Sequence, residues 1–132
     1  MKMQILILFI GFSISLHAQY GDAPFTYVEN MPEYVGGTKA MYRFINQNLQ
    51  YSDTCAAKLG TTYVIVQFII DTSGYIVKPK VVRGNECGLN EEALRVTNLM
   101  NENGPHWNSG MHNHKKVNVM FTLPIKFKPG KH

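Results

Sequence analysis

Residues 61–83 most constrain the fold, because they have the pattern of a β-hairpin. They read TTYVIVQFII, then DTSG, then YIVKPKVVR. Asp71 can bond the backbone two residues on, and Gly74 can adopt the positive φ that ends a type I turn with a bulge. The first strand is apolar on both faces, as is typical of a central strand, whereas Pro79 in the second strand favours an edge. The hairpin therefore needs a third strand beside its first.

The N-terminus has the features of a secretory signal. Lys2 precedes an apolar run over residues 5–16, and Ala18 is a small residue suited to cleavage. The run is shorter than the roughly 20 residues that span a bilayer. We therefore expect residues 1–18 to be removed and the mature chain to lie in an extracytoplasmic, oxidising space, with a retained membrane anchor as the alternative.

The two cysteines flank the hairpin. Cys55 lies just before the first strand and Cys87 just after the second. Because a hairpin returns the chain to where it began, both cysteines fall at the same end of the sheet. A disulfide would close the loop and contribute about 3 to 4 kcal/mol. Two buried free thiols are the alternative, and neither residue carries the signature of a catalytic cysteine.

Three helices are predicted around the hairpin. An extended arm over residues 19–37 leads to a helix capped by Thr38, whose apolar positions have helical spacing. A short helix runs from Asp53, its cap, to a stop at Gly60. The third helix is capped by Asn90 and ends before Gly104 and Pro105, and its apolar positions again form one face. The apolar residues of the first helix are Met41, Phe44, Ile45 and Leu49, and those of the third helix are Leu89, Ala93, Val96 and Met100.

A last strand within residues 117–127 completes the sheet. The second hairpin strand, the third helix and this strand form a βαβ unit, whose right-handed crossover makes the last strand parallel to the second. If it pairs with the first strand, the order is second, first, last. The prediction is an α+β domain over residues 38–128, with a three-stranded antiparallel sheet, helices on one face and a basic tail over 129–132.

Five landmarks in this order resemble the C-terminal domain of TonB-like energy transducers. They are VENMPEYVGGTKAMYRFI, the hairpin VQFIIDTSGYIVKPKVVRG, the helix NEEALRV, Trp107 with Gly110, and VNVMFTLPIKF. The arm with MPE and GG is similar to the version common in Bacteroidetes. The resemblance spans residues 28–127. It implies a stand-alone periplasmic domain of this fold.

The resemblance also implies a partner. Domains of this family bind the TonB box, a short extended peptide of TonB-dependent outer-membrane transporters, by adding it as a strand to the last strand. By position, the binding edge is Val117, Asn118, Val119, Met120, Phe121, Thr122 and Leu123. Tyr51 matches the Tyr of a Tyr-Pro contact motif, although Ser52 replaces the Pro. We expect Val119→Pro to remove a donor from this edge while leaving the fold mostly intact.

The chain departs from a full transducer in two respects. We expect the N-terminal segment to be cleaved and not retained as an anchor, and residues 19–132 contain no long Pro-rich spacer, so we expect that the domain alone does not transmit force. An inner-membrane energy-transducing complex, reached through another protein, is a further candidate partner. The alternative function is a structural or adaptor domain of the cell envelope that forms a homodimer through the same edge.

Other function classes fit less well. The acidic residues are explained by caps and turns, and the sequence contains no phosphate loop, nucleophile elbow or HExxH motif, so we expect no enzyme and no cofactor. His106, His112 and His114 are interpreted as solvated loop residues and not as a metal site. Trp107 is predicted to be a core anchor. The export signal argues against a nucleic-acid partner.

Overall fold

The computed structural model describes residues 23–130. The predicted signal segment 1–18 and the last two residues of the basic tail lie outside this range. Within it, no helix is long and apolar enough to cross a membrane. The helices are α1 (Gly37–Asn48), α2 (Asp53–Leu59) and α3 (Leu89–Leu99), and the strands are β1 (Glu33–Tyr34), β2 (Thr62–Ile70), β3 (Ile76–Arg83), β4 (Trp107–Asn108), β5 (Gly110–His112), β6 (Lys115–Val117) and β7 (Val119–Phe127).

The main sheet has the order β3-β2-β7, and both pairings are antiparallel. This confirms the predicted α+β fold with the order second, first, last. Alternate residues of β2, together with Leu123, Ile125 and Phe127 of β7, are buried against the apolar stripes of α1 and α3, which lie on one face of the sheet. Burial of these side chains, each worth about 1.5 to 3 kcal/mol, is the main stabilising contribution to the fold.

The turn of the central hairpin forms as predicted. The Asp71 carboxylate accepts hydrogen bonds from the backbone N–H groups of Ser73 at 2.8 Å and Tyr75 at 3.0 Å. Gly74 has a φ of 86°, and a Cβ added there would lie 2.1 Å from the carbonyl oxygen of Trp107. The turn therefore needs glycine both for its backbone angle and for its close approach to the Trp107 segment.

The observed N-cap residues of the three helices lie one or two residues before the predicted ones. Gly36 precedes α1 with a φ of 94°, and Gly88 precedes α3 with a φ of 75°, and neither helix has a side-chain cap. Ser52 caps α2 by accepting from the N–H of Cys55 at 3.5 Å, while Gly60 ends the helix as predicted. The caps predicted at Thr38, Asp53 and Asn90 were wrong, because left-handed glycines or the preceding serine start each helix.

Cys55 and Cys87 form the predicted disulfide, with an S–S distance of 2.09 Å. It joins α2 to the loop between β3 and α3. The free-thiol alternative is therefore wrong.

Residues 105–116, which were predicted to form a polar loop, contain short paired strands. β4 pairs with β1 of the arm, and β5 pairs with β6 around a turn in which Asn113 and His114 both have positive φ. Trp107 is buried, which agrees with its predicted role as a core anchor. The arm is likewise part of the packed structure, since Val28 is 1% exposed and Asn30 bridges to Met111.

Candidate functional site

The free side of β7 is the candidate site. β7 pairs with β2 without a bulge, from Val119 opposite Ile70 to Phe127 opposite Thr62. In an antiparallel pair, successive residues direct their N–H and C=O groups alternately to the two sides. The N–H of Met120 points away from β2, because it donates to the arm. The backbone groups of the even-numbered residues of β7 therefore form the outward row.

The arm closes the first part of this row. Phe25 forms a parallel bridge with Val119: its N–H donates to the carbonyl of Asn118 at 2.9 Å, and its carbonyl accepts from the N–H of Met120 at 2.7 Å. The Phe25 ring lies 5.4 Å from the ring of His112. The protein's own backbone thus already occupies the start of the edge that the family resemblance implied as the peptide-binding edge.

A tyrosine closes the other end of the row. The Tyr51 hydroxyl donates to the carbonyl of Lys128 at 2.8 Å and accepts from its N–H at 3.2 Å. The Tyr51 ring packs edge-on against Phe127, with the centroids 5.0 Å apart. Tyr51 therefore occupies the outward backbone groups of Lys128, and the accessible edge ends there.

Between these two closures lies a stretch that we call the open window, residues 122–126 of β7. Within residues 23–130, no strand or bridge pairs with its outward side. The window presents the carbonyls of Thr122, Pro124 and Lys126, and the N–H groups of Thr122 and Lys126. At about 3.3 Å per residue it is about 13 Å long, which suits about five residues of extended chain.

A groove between α1 and β7 runs beside the open window. Its larger part has a volume of about 330 Å³ and its smaller part about 140 Å³. The two parts share Tyr42 and Pro124. The larger part is lined by Tyr42, Ile45, Asn46, Leu49, Tyr51, Tyr63, Pro124, Lys126 and Lys128, and the smaller part by Pro32, Glu33, Tyr34, Thr38, Met41, Tyr42, Trp107, Phe121, Thr122, Leu123 and Pro124.

An ion pair between the half-exposed Arg95 and the buried Glu92 stabilises the helical wall of the groove. Arg95 donates to the Glu92 carboxylate at 2.5 Å and to the carbonyl of Asn48, the last residue of α1, at 2.6 Å. Glu92 also accepts from the backbone N–H of Gln50. The hydrogen bond to Glu92 raises the pKa of the Arg95 guanidinium, which remains charged. These contacts fix the end of α1 and the chain that leads to Tyr51.

An aromatic cluster supports the opposite end of the open window. Trp107 packs edge-on against Phe121 at 5.0 Å, Phe68 at 5.9 Å and Tyr34 at 5.6 Å. Burial raises the pKa of the Tyr34 hydroxyl, which therefore stays neutral. These ring contacts pack the core-facing side of β7 against the arm and β2, so that the edge is formed before any extended chain binds.

The structure distributes the seven predicted edge residues over different environments. Val117 belongs to β6 and pairs with Gly110, while Asn118 and Met120 are engaged by Phe25. Three of the seven, namely Val119, Phe121 and Leu123, direct their backbone groups towards β2. Of the seven, only Thr122 presents outward backbone groups within the open window. The observed strand runs over Val119–Phe127, inside the range 117–127 predicted for the last strand, and the predicted binding edge over residues 117–123 covers only its first part.

Two outward-facing residues of the open window, Pro124 and Lys126, lie outside the predicted binding edge, although the predicted strand range extended to residue 127. The missing N–H of Pro124 points outward, where no bond of the sheet needs it. The alternation of Pro124, Ile125, Lys126 and Phe127 was the signal that could have extended the binding edge along the strand. The donor that Val119→Pro would remove faces β2, so this substitution would damage the sheet.

The loop histidines do not come together. His106 is bonded to the carbonyl of Glu102 at 2.8 Å, and His112 Nδ1 lies 3.8 Å from the Glu29 carboxylate. In the part of the chain that the structure describes, no group of three or more His, Cys, Asp or Glu residues has the arrangement to hold a metal ion.

Comparison with known proteins identifies the family. The family described as Gram-negative bacterial TonB protein C-terminal matches residues 47–129, which include β2, β3, α3 and β7. Neither the curated proteins nor the solved structures gave a match. Because the matched region covers more than half of the chain, the protein belongs to the family of Gram-negative bacterial TonB protein C-terminal domains.

Proposed function

We propose that the protein is a periplasmic domain that binds the TonB box of a TonB-dependent outer-membrane transporter by strand addition at the open window. Family membership associates the chain with transport, and domains of this family are non-enzymatic interaction domains. Outer-membrane receptors are the partners that the family implies. The observation that carries the proposal is the unpaired stretch of a long, regular edge strand.

The chemistry of the open window suits an extended peptide. Unpaired backbone N–H and C=O groups of an edge strand form hydrogen bonds with any chain that lies alongside in the extended conformation. The open window offers the donors of Thr122 and Lys126 and three carbonyl acceptors. Because Phe25 and Tyr51 close the row on either side, the peptide would pair over a short segment and not along the whole strand.

Synthetic peptides that copy the TonB boxes of the host's transporters test the proposal. Binding to the mature domain is measured by calorimetry, and backbone hydrogen exchange is followed by NMR. We expect slower exchange of the Thr122 and Lys126 amides in the complex, with little change at Met120, whose N–H is already bonded. Binding without this protection, or no binding by any of the peptides, would show that the site or the function is wrong.

Sedimentation, combined with the hydrogen-exchange measurement, tests for self-association. Sedimentation over a range of concentrations should give a monomer, which gains mass only when a transporter peptide is added. A dimer that protects the same two amides would instead favour the homodimeric envelope protein.

Location and processing need a separate experiment. Domains of this family are periplasmic in Gram-negative bacteria, and cleavage after Ala18 is our proposal for how this chain reaches that space. N-terminal sequencing of the exported protein should begin at Gln19. A full-length product in the membrane fraction would favour an anchored transducer.

A further inference from the structure

Beyond the backbone pairing, we propose that the larger part of the groove is a specificity pocket for one dipeptide: a large apolar residue next to an acidic residue in the bound segment. This inference rests on the proposed function, since it assumes a strand at the open window. It assigns a role to side chains that backbone pairing does not use.

The two sides of β7 offer different environments to a strand lying beside it. On the helical side, the pocket wall is formed by Tyr42, Ile45, Leu49 and Tyr51. Ile45 and Leu49 are buried, and no charged side chain of α1 lines this wall. A volume of about 330 Å³ is ample for an aromatic or long aliphatic side chain.

On the helix-free side, the pocket is bordered by a cation. Lys126 is opposite Tyr63 in the register, and both are exposed on the face of the sheet that carries no helix. Among the described residues that line the larger part of the groove there is no Asp or Glu. A carboxylate next to Lys126 would gain a favourable charge interaction, and a second cation would be repelled.

In an extended partner peptide, two neighbouring residues face the two different sides of the sheet. Successive side chains of an extended strand point to opposite faces. A residue that enters the wall of α1 therefore has neighbours that point to the face of Lys126. The matching sequence is an apolar residue followed or preceded directly by Asp or Glu.

The smaller part of the groove restricts where along the open window the acidic residue of the partner can lie. It lies towards Thr122 and is bordered by the exposed carboxylate of Glu33. An acidic residue of the partner is thus favoured at the Lys126 end of the open window and disfavoured at the other end. This charge difference fixes the position of the dipeptide along the edge.

Peptides of about eight residues, alternating Val and Thr around a varied central dipeptide, test the pocket. The central pairs are Leu-Asp, Asp-Leu, Ala-Asp and Leu-Lys, and affinity is measured by fluorescence anisotropy at about 0.15 M salt. We expect the better of the two Leu and Asp orders to bind about tenfold more tightly than Ala-Asp, because a large apolar side chain is buried. The preferred order reports the direction of the bound strand.

A charge exchange isolates the contribution of Lys126. Lys126→Glu should weaken the Leu-Asp peptide by about two- to fivefold and strengthen Leu-Lys by a similar factor. Lys80→Glu is the matched control, because Lys80 is exposed on the far strand β3 and lines neither part of the groove. It should leave the preference unchanged.

The outcomes separate this inference from the proposed function. If the peptides protect the amides of Thr122 and Lys126 but bind equally well with Leu or Ala and with Asp or Lys, strand addition stands and the pocket assignment is wrong. If none of the peptides and none of the transporter segments binds, both are wrong.

Discussion

The two edge strands of the main sheet differ in how their outward backbone groups are treated. In β3, the Asn101 side chain bonds both the N–H and the C=O of Ile76, at 2.9 and 2.8 Å. Lys78 has a positive φ of 53°, Pro79 has no N–H, and the register of β3 against β2 shifts twice. β7 keeps a continuous register and is closed only at its two ends.

This difference shows that an edge can be protected in two ways. β3 is interrupted by two register shifts, by the positive φ of Lys78 and by Pro79, and such irregularities disfavour pairing with another extended chain. β7 remains regular, and its own arm and Tyr51 limit how much of it is exposed. A regular edge of this kind is what the proposed strand addition requires.

The largest expected effect is a loss of stability when the disulfide, which lies near the end of β3, is removed. The double substitution Cys55→Ser, Cys87→Ser should lower the free energy of unfolding by about 3 to 4 kcal/mol, because the open chain gains entropy when unfolded. Chemical denaturation measures the loss. Peptide affinity in the folded protein should not change, since neither cysteine lines the groove beside the open window. A parallel loss of affinity would show that the two edges are coupled.

Asn101→Ala removes the side-chain hydrogen bonds that occupy the outward backbone groups of Ile76 in β3. It leaves the N–H and C=O of the buried Ile76 without their partner and should cost about 2 kcal/mol of stability. Asn98→Ala, at an exposed position near the end of α3, is the control and should cost less. We expect the protein to remain monomeric in sedimentation, since the bulge and Pro79 still protect the edge. Formation of a dimer would show that Asn101 is the main residue that prevents β3 from pairing with another chain.

Thr122→Pro tests the open window itself. It removes an outward N–H and should weaken a bound TonB box peptide by about tenfold, because one backbone hydrogen bond is lost and its acceptor is left unpaired. Thr122→Ala keeps the N–H and should retain most of the affinity. Calorimetry gives both values, and thermal unfolding checks that the sheet is intact. Equal affinity for the two variants would place the peptide elsewhere.

Tyr51→Phe should have the smallest effect. It removes the hydroxyl from the backbone of Lys128 and should reduce stability by about 1 kcal/mol. The open window becomes longer, so a peptide extended by two residues should gain affinity over the short peptide by a few-fold. Tyr75→Phe, on the far side of the hairpin turn, is the control. If the longer peptide gains nothing, Tyr51 does not limit the site.

Local sequence signals were enough for most of the fold. The hairpin, its turn at Asp71 and Gly74, and the disulfide depend on short-range patterns and on chain return, which are visible in the sequence. The helix caps were harder to predict, because a left-handed glycine and a polar side chain can both start a helix and the choice depends on the path of the incoming chain. The arm was predicted as extended, but its packing depends on β4 and β7.

The candidate site could be predicted only in part. The sequence by itself determined that β7 is an edge strand, because the right-handed crossover and the apolar first strand leave few other arrangements. Only the tertiary structure decided which part of the edge is free, since Phe25 and Tyr51 reach β7 from distant positions in the chain. Contacts of this kind depend on how the elements pack, and no local pattern encodes them.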